Sequence, residues 1–376
     1  MKVSCMQENL SRGLGVVSRA VATKTTLPIT NNVLLSTDQS RLKLAATNLE
    51  IAISCWVGAK VEEEGSITIP ARLFSDFVGS LPNDRIDLSM AARSHSVSIK
   101  CARFDARMNG MDPEDFPVIP TADGNCTTRI DPVVLRSAID QVVFAAATDE
   151  MRPVLAGVCV RLAGDEMTLA GADGFRLAVR KAALLKPVEE ETELIIPAKA
   201  LSELNRISGD EKEPIEITVS SNRSQVLFRL SHVELVTQLI QGTYPNYAQL
   251  IPQSYSNRVV VNSKSFREAT KTASIFARDT SGIVRLQTQP GSDLTPGRLL
   301  VSARAEELGE NTGELDAIVE GDAKIAFNAK YLADVLGVLD AGEVELQTNT
   351  PSSPGTIKPA GSDNYLHVIM PIFVQW

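Results

Sequence analysis

The sequence predicts an α+β protein of three tandem, similar domains, each with two helices packed on antiparallel sheets, and three recurring markers predict it. The first is "SITIPARLFSDFVGSLP" (66–82), matched by "ELIIPAKALSELNRISG" (193–209) and "KIAFNAKYLADVLGVLD" (324–340), with Ala71, Ala198 and Ala329 in register. The second is "LSRGLGVVSRAVA" (10–22), matched by "LRSAIDQVVFAAA" (135–147) and "FREATKTASIFAR" (266–278). The third is a proline near each expected domain end, at Pro117, Pro245 and Pro371. All three return after roughly 125 to 131 residues, the size of one small domain. A period that long describes whole domains, near 1–121, 122–252 and 253–376, and not a solenoid of short units.

Local patterns supply the elements. In the first helix Leu10, Leu14, Val17 and Val21 form one apolar stripe, with Arg12 and Arg19 on the other face. The runs 41–57 and 167–182 each carry a turn signal in the middle, Thr47-Asn48 and Asp173-Gly174, and so predict antiparallel hairpins. "ELVTQLI" (234–240) predicts a further strand.

Hydrophobic residues at 44% and charged residues at 22% match an ordinary globular chain, so neither disorder nor a fibrous class is expected. The opening MKVSCMQENLSRG has no apolar run of the signal-peptide kind, and no stretch of about 18 apolar residues predicts a membrane span. Cys5, Cys55, Cys101, Cys126 and Cys159 are scattered and form no CxxC, which fits small core residues in a reducing cytoplasm.

Catalytic signatures are missing from the pattern. His95, His232 and His367 are far apart in sequence, and no HExxH, GxSxG or Walker loop occurs. "GLGVVS" (13–18) lacks the third glycine of a dinucleotide loop and lies inside a helix pattern. Asp112, Glu114 and Asp115, like Glu189 to Glu191, suit solvated acidic loops better than a metal site. No cofactor, no metal and no enzymatic activity are expected.

Charge is distributed unevenly. The net charge is −9, yet no acid falls between Asn9 and Lys24, where Arg12, Arg19 and Lys24 are basic. Lys264, Arg267, Lys271 and Arg278 share one face of the corresponding third-domain helix, and the second helices add Arg72, Lys199, Arg206 and Lys330. Basic helices in an acidic protein would draw a polyanion to one surface and repel it elsewhere. In the second domain Arg136 is offset by Asp140 and Asp149.

In order and spacing, "TLPITNNVLL" (26–35), "IPARLF" (69–74), "EDFPVIP" (114–120), "ADGFRLA" (172–178), "TYPNYAQLIP" (243–252) and "YLHVIMPI" (365–372) resemble the β subunits of bacterial DNA polymerase III, the DNA sliding clamps, over the whole chain. The resemblance implies the DNA clamp fold, closing into a ring as a homodimer, with helices lining a hole for double-stranded DNA and sheets outside. It implies a non-catalytic processivity factor that meets DNA without reading its sequence. It also implies partners that dock through short linear peptides: the polymerase III alpha subunit, the clamp loader, other polymerases and repair proteins.

By the same resemblance Lys24 matches a DNA-facing basic residue, while Arg72, Lys199 and Lys271 follow from helix-face reasoning. Phe104, Ala106, Ile275 and Phe276 match the dimer interface. Leu155, Ala172, Gly174, Phe175, Arg176, Leu177, Pro245, Gln249, Leu250, Val368, Met370, Pro371 and Ile372 match a peptide-binding groove, with Arg176 offered as a polar contact to the peptide. Gln249 stands where a basic residue is common, Ala106 where a larger apolar one is, and the tail "IFVQW" is longer and more apolar than usual. Trp376 could cover the groove or hang free. Tyr244 and Tyr247 fit core packing better than ligand contact. From the residues alone, a peptide-binding scaffold without DNA and a carboxylate hydrolase built on the Asp112–Asp115 loop also stay open.

Overall fold

The computed structural model describes every residue except 24, 91–94, 120–126, 150, 278–281, 293–294, 306, 308 and 340–341. The elements recur three times in one order: strand, helix, three strands, strand, helix, three strands, with one extra strand, Lys60–Glu63, in the first copy. The helices are α1 (Gln7–Val17), α2 (Ala71–Ser80), α3 (Pro132–Val142), α4 (Ala198–Ile207), α5 (Ser263–Ala277) and α6 (Ala329–Val338). None among the described residues is long and apolar enough to cross a membrane.

The predicted first helix is shorter than its apolar stripe. The Ser18 hydroxyl donates to the Gly15 carbonyl at 3.2 Å, and the chain tightens into one 3-10 turn, Ser18–Ala20. Val21 therefore lies beyond the helix in extended backbone.

Contacts divide the chain into two compact units, Met1–Pro132 with Glu203–Leu239, and Val133–Ser202 with Ile240–Trp376. The first unit holds a five-stranded and an eight-stranded sheet. Phe104–Asn109 is the outermost strand of the five. In the eight-stranded sheet Ile51–Gly58, from the first copy, pairs antiparallel with Val233–Gln238, from the second. α1 buries Leu10, Leu14 and Val17 and lies against α2 and the strand Ile51–Gly58. Gly13 is the point of closest approach, since a Cβ there would sit 2.7 Å from Val57 Cγ2 and 2.9 Å from Leu44 Cδ1. The "GLG" of the sequence is thus a helix–sheet contact.

The second unit is built on one twelve-stranded sheet. Its seam repeats the first unit's: Arg176–Ala183, from the second copy, pairs with Tyr365–Ile369, from the third. α5 packs on α6, burying Phe266, Ala273 and Ala277 from one and Leu332, Val335 and Leu336 from the other. The long strand Gly309–Glu320 pairs over residues 309–317 with Gly297–Ala305, but on its other side only residues 317–320 are paired, with 258–261. Lys324–Asn328 ends the sheet, and the chain terminus lies along it. The Ile372 amide donates to the Ala326 carbonyl at 2.8 Å, and Lys324 Nζ sits 5.8 Å from the Trp376 ring centroid. Trp376 is therefore tied to the sheet edge.

Cys5, Cys55, Cys101 and Cys159 are buried, and burial pushes the Cys55 thiol up to about 11; Cys126 lies outside the described residues.

Two glycines of one helix separate packing from helix propensity. Gly13→Ala should destabilise the protein by about 1–2 kcal/mol, because Val57 and Leu44 must shift. A Cβ on Gly15 meets nothing within 4 Å, so Gly15→Ala should stabilise by up to about 1 kcal/mol. Denaturant midpoints of the two variants check both signs.

Candidate functional site

A groove of about 520 Å³ opens on the second unit where the seam Arg176–Ala183 with Tyr365–Ile369 ends. A tight turn forms one lip. Asp173 Oδ1 accepts from the amides of Phe175 and Arg176 at 2.9 and 3.0 Å, and Gly174 takes φ +93°, a conformation that glycine adopts without strain. The turn leaves Phe175 59% exposed. Its carbonyl accepts the Met370 amide at 2.9 Å, which fixes the seam's end.

The opposite side is the 3-10 turn Tyr247–Leu250 with Ile251 and Pro252, together with Asn349, Ser353 and Pro354. That last loop is held by hydrogen bonds: Asn349 Nδ2 donates to the Ser254 carbonyl at 2.8 Å, and the hydroxyls of Thr350 and Ser353 lie 2.7 Å apart. Below the groove Ala172, Leu177, Val368, Cys159 and Tyr244 pack as a buried cluster, with Leu155 and Tyr247 against it. Tyr244 and Tyr247 meet edge to face at 6.4 Å. The two tyrosines support the floor, as core packing predicts.

Of the residues assigned to the groove from the sequence, Ala172, Gly174, Phe175, Arg176, Leu177, Gln249, Leu250, Val368 and Met370 line it. Leu155 lies in the supporting core, and Pro245, Pro371 and Ile372 lie outside the lining. Asn349, Ser353 and Pro354 were missed. The Ser- and Pro-rich stretch "NTPSSP" marks a turn but carries no sign of what it faces.

Arg176 serves a different end from the polar peptide contact expected of it. Its guanidinium donates from Nε to Asp173 Oδ2 at 2.9 Å, from Nη1 to Asp334 Oδ2 at 2.7 Å, and from Nη2 to the Phe144 carbonyl at 2.6 Å. It also lies over the Tyr331 and Phe144 rings, at 4.4 and 5.3 Å. Its side chain is 7% exposed. A cation this buried is tolerable only with such pairing, and here it ties α6 and the turn after α3 to the groove lip.

His367 lies near that cluster, fully buried and stacked on Phe144 at 5.5 Å, with Nδ1 3.3 Å from the Tyr365 hydroxyl. Burial, and then the charge of Arg176, push its imidazole down to about 3.

Among the described residues, those proposed to face DNA, Arg72, Lys199 and Lys271, sit on helix surfaces. Arg72 is almost fully exposed on α2, 4.0 Å from Asp76, and Lys199 is exposed on α4. Lys271 is exposed on α5 with Lys264 and Arg267, although Glu268 is exposed among them. Lys24 and Arg278 lie outside the described residues. Several neighbouring cations are paired, Arg12 with Glu8 and both Arg19 and Arg206 with Glu203. Of the interface candidates, Phe104 and Ile275 are exposed, and Ala106 and Phe276 are half-buried. Among the described residues no cluster of His, Cys, Asp and Glu could hold a metal, and the Asp112 carboxylate caps a short 3-10 turn.

Family models match nearly the whole chain: the N-terminal domain of the DNA polymerase III beta subunit over residues 1–120, its central domain over 129–246 and its C-terminal domain over 248–373. The chain is 33% identical to a beta sliding clamp of Synechocystis, covering 99% of both chains, and 32% identical to one of Staphylococcus aureus, covering 94% of both. Among solved structures it is similar to the DNA polymerase sliding clamp of Bacillus subtilis, with a TM-score of 0.94 at 28% identity, and to the polymerase III beta subunit of Pseudomonas aeruginosa, with 0.90 at 27%, each covering 100% of both chains.

The buried histidine makes stability depend on pH. The unfolded chain takes up a proton at His367 near pH 6.5, whereas the folded chain does not until about pH 3. Stability from this group is thus full above the upper value and is lost as pH falls between the two, by about 1.4 kcal/mol per pH unit. Denaturation measured from pH 7 to 4 should show a shallower loss for His367→Asn than for the unmodified protein.

Proposed function

We infer, from the premise that the chain belongs to the DNA polymerase III beta subunit family, that this protein is a non-catalytic sliding clamp: a ring-shaped homodimer that encircles duplex DNA and tethers the replicative polymerase. One observation carries the reading most directly. In each seam, the third strand of one copy's first three-stranded run pairs with the last strand of the following copy. In the third copy, residues 309–316 of the corresponding strand are open on one side among the described residues. The last strand of the first copy, Phe104–Asn109, is likewise a sheet edge. A second chain satisfies both edges head to tail, twice, and closes the assembly. Exposed Glu310, Glu314 and Asp316 on one edge, and Arg103 and Arg107 on the other, favour that pairing over an edge meeting its own copy. Phe104 and Ala106 on the strand, and Ile275 and Phe276 on α5, supply apolar surface for it.

The three domains of this reading run near 1–121, 122–252 and 253–376. Lys24, Arg72, Lys199 and Lys271 attract phosphates without reading bases, so the duplex is centred and the ring slides. Enclosure, not tight contact, gives retention. The groove of the second unit is the docking site for short linear peptides of the polymerase alpha subunit, the clamp loader, and other polymerases and repair proteins. Its apolar lining and braced turns suit a largely preformed pocket. The cytoplasm, where replication takes place in bacteria, is the proposed location.

Clamp loaded on nicked circular DNA should stay bound after dilution and leave once the DNA is cut to a blunt-ended linear form. Equal release from both forms overturns the enclosure reading. Phe104→Asp and Ile275→Asp should each move the protein toward monomer in sedimentation at micromolar concentration, by about 2 kcal/mol or more of dimer stability for a buried apolar anchor replaced by a charge.

A further inference from the structure

Trp56 has no part in the readings above, yet it lines a cavity of about 880 Å³ on the first unit. The walls are α1 with the turn after it, the hairpin of Arg41–Thr47 and Ile51–Gly58, the segment 206–213 that ends α4, and the turn 230–233. They are braced by Glu211. Its carboxylate accepts the amides of Lys212 and Glu213 at 2.9 and 3.0 Å, and the amide and hydroxyl of Ser231 at 2.9 and 2.8 Å. Trp56 is held as firmly: its indole N–H donates to Asp38 Oδ2 at 2.7 Å, and Arg41 and Lys43 lie 5.6 and 4.9 Å from the ring centroid. The ring is only half-buried, so it is not sealed from a visitor.

Cations dominate the lining. Arg12, Arg19, Arg41, Arg206 and Lys212 face Asp210, Glu213 and the Glu211 already taken up by its loop. Arg12, Arg19 and Arg206 are paired with Glu8 and Glu203 at exposed or partly exposed sites, where such pairs hold weakly. Arg41 has no carboxylate within ion-pair distance among the described residues; its contact is the Trp56 ring. The repeat does not dictate this set. Arg12, Arg19, Arg41 and Trp56 correspond in the second copy to Ser137, Phe144, Glu166 and Lys181, and the last two pair with each other at 3.2 Å. An indole among guanidinium groups is thus particular to the first seam.

We propose that this cavity binds a nucleoside phosphate, with the base against Trp56 and the phosphates among Arg41, Arg12 and Arg206. An aromatic plane stacks on any base, and guanidinium groups fit phosphate oxygens. An acidic peptide would leave the indole unused, and an apolar one would leave the arginines unused. The site belongs to the first unit and depends neither on ring closure nor on the peptide groove. Its ligand has two sources, a free nucleotide or an unpaired nucleotide of a DNA strand.

In a Trp376→Phe variant Trp56 is the remaining tryptophan of the two, so its emission reports the cavity. The probes are dTTP for the free nucleotide and a thymidine tetranucleotide for the strand. At least one should quench the emission saturably, and the tighter of the two names the source. Inorganic triphosphate should compete at least about fivefold more weakly than dTTP, because it lacks a base to stack. Arg41→Gln should weaken the tighter probe by about fivefold or more at low salt, a loss that shrinks at high salt. Arg12→Gln, on an exposed helix face where folding is not at stake, should weaken it by about threefold.

No saturable quenching by either probe up to millimolar concentration overturns the proposal, and that result needs neither arginine variant to fold. Inorganic triphosphate competing as tightly as dTTP makes the cavity an anion site alone and overturns it as well. So does unchanged affinity in both arginine variants.

Discussion

Backbone hydrogen bonding at sheet edges is the constraint on which the rest depends. A strand that ends a sheet offers a row of amides and carbonyls that must find partners in water or in protein. The second and third copies of the repeated unit meet this need by lending their last strands to the copy before, so that Ile51–Gly58 joins Val233–Gln238 and Arg176–Ala183 joins Tyr365–Ile369. The register is the same in both seams: Ile51 opposes Thr237 as Arg176 opposes Ile369. The groove is a by-product of the second seam. Where that ladder ends at Arg176 and Ile369, the flanking turns leave a recess.

The two seams do not produce equal recesses. At the first seam a cavity of about 230 Å³ is lined by Thr47, Glu50, Ile51 and Gln238, among others. The matching positions of the second seam are Ala172, Phe175, Arg176 and Met370, around a cavity of about 520 Å³. Thr47, Glu50 and Gln238 in the smaller one stand where the larger has the apolar Ala172, Phe175 and Met370, while Ile51 stands in place of Arg176. A duplicated scaffold thus carries one groove suited to apolar side chains, and the difference lies in a few side chains at equivalent places.

Much of this was legible in the chain itself. The repeat, the hairpins at Thr47-Asn48 and Asp173-Gly174, and the amphipathic helices all follow from short-range patterns, because turn chemistry and burial periodicity act over a few residues. The end of α1 did not, because a single serine back-bond overrides an apolar stripe that continues to Val21. The groove's far wall was illegible for a different reason. Nothing local in Asn349 to Pro354 indicates that it faces residues about a hundred or more positions earlier. Asp334 was hidden in the same way, since its partner Arg176 lies on a strand of another repeat. The lone His367 packs among aromatic rings with its Nε2 buried and unpartnered, a setting that its separation from the other histidines does not reveal.

The half-open strand Gly309–Glu320 carries a risk as well as an opportunity. A template that waits for the correct visitor also invites misassembly, the stacking of edge on like edge that leads to fibrils. Glu310, Glu314 and Asp316 are exposed along that margin, Glu314 paired with Arg298 at 2.7 Å, and two such margins brought together would set acid against acid. Their acidity is part of the overall −9 that first seemed at odds with a nucleic-acid partner. Seen from that margin, the surplus of acid guards the open seam against its own kind.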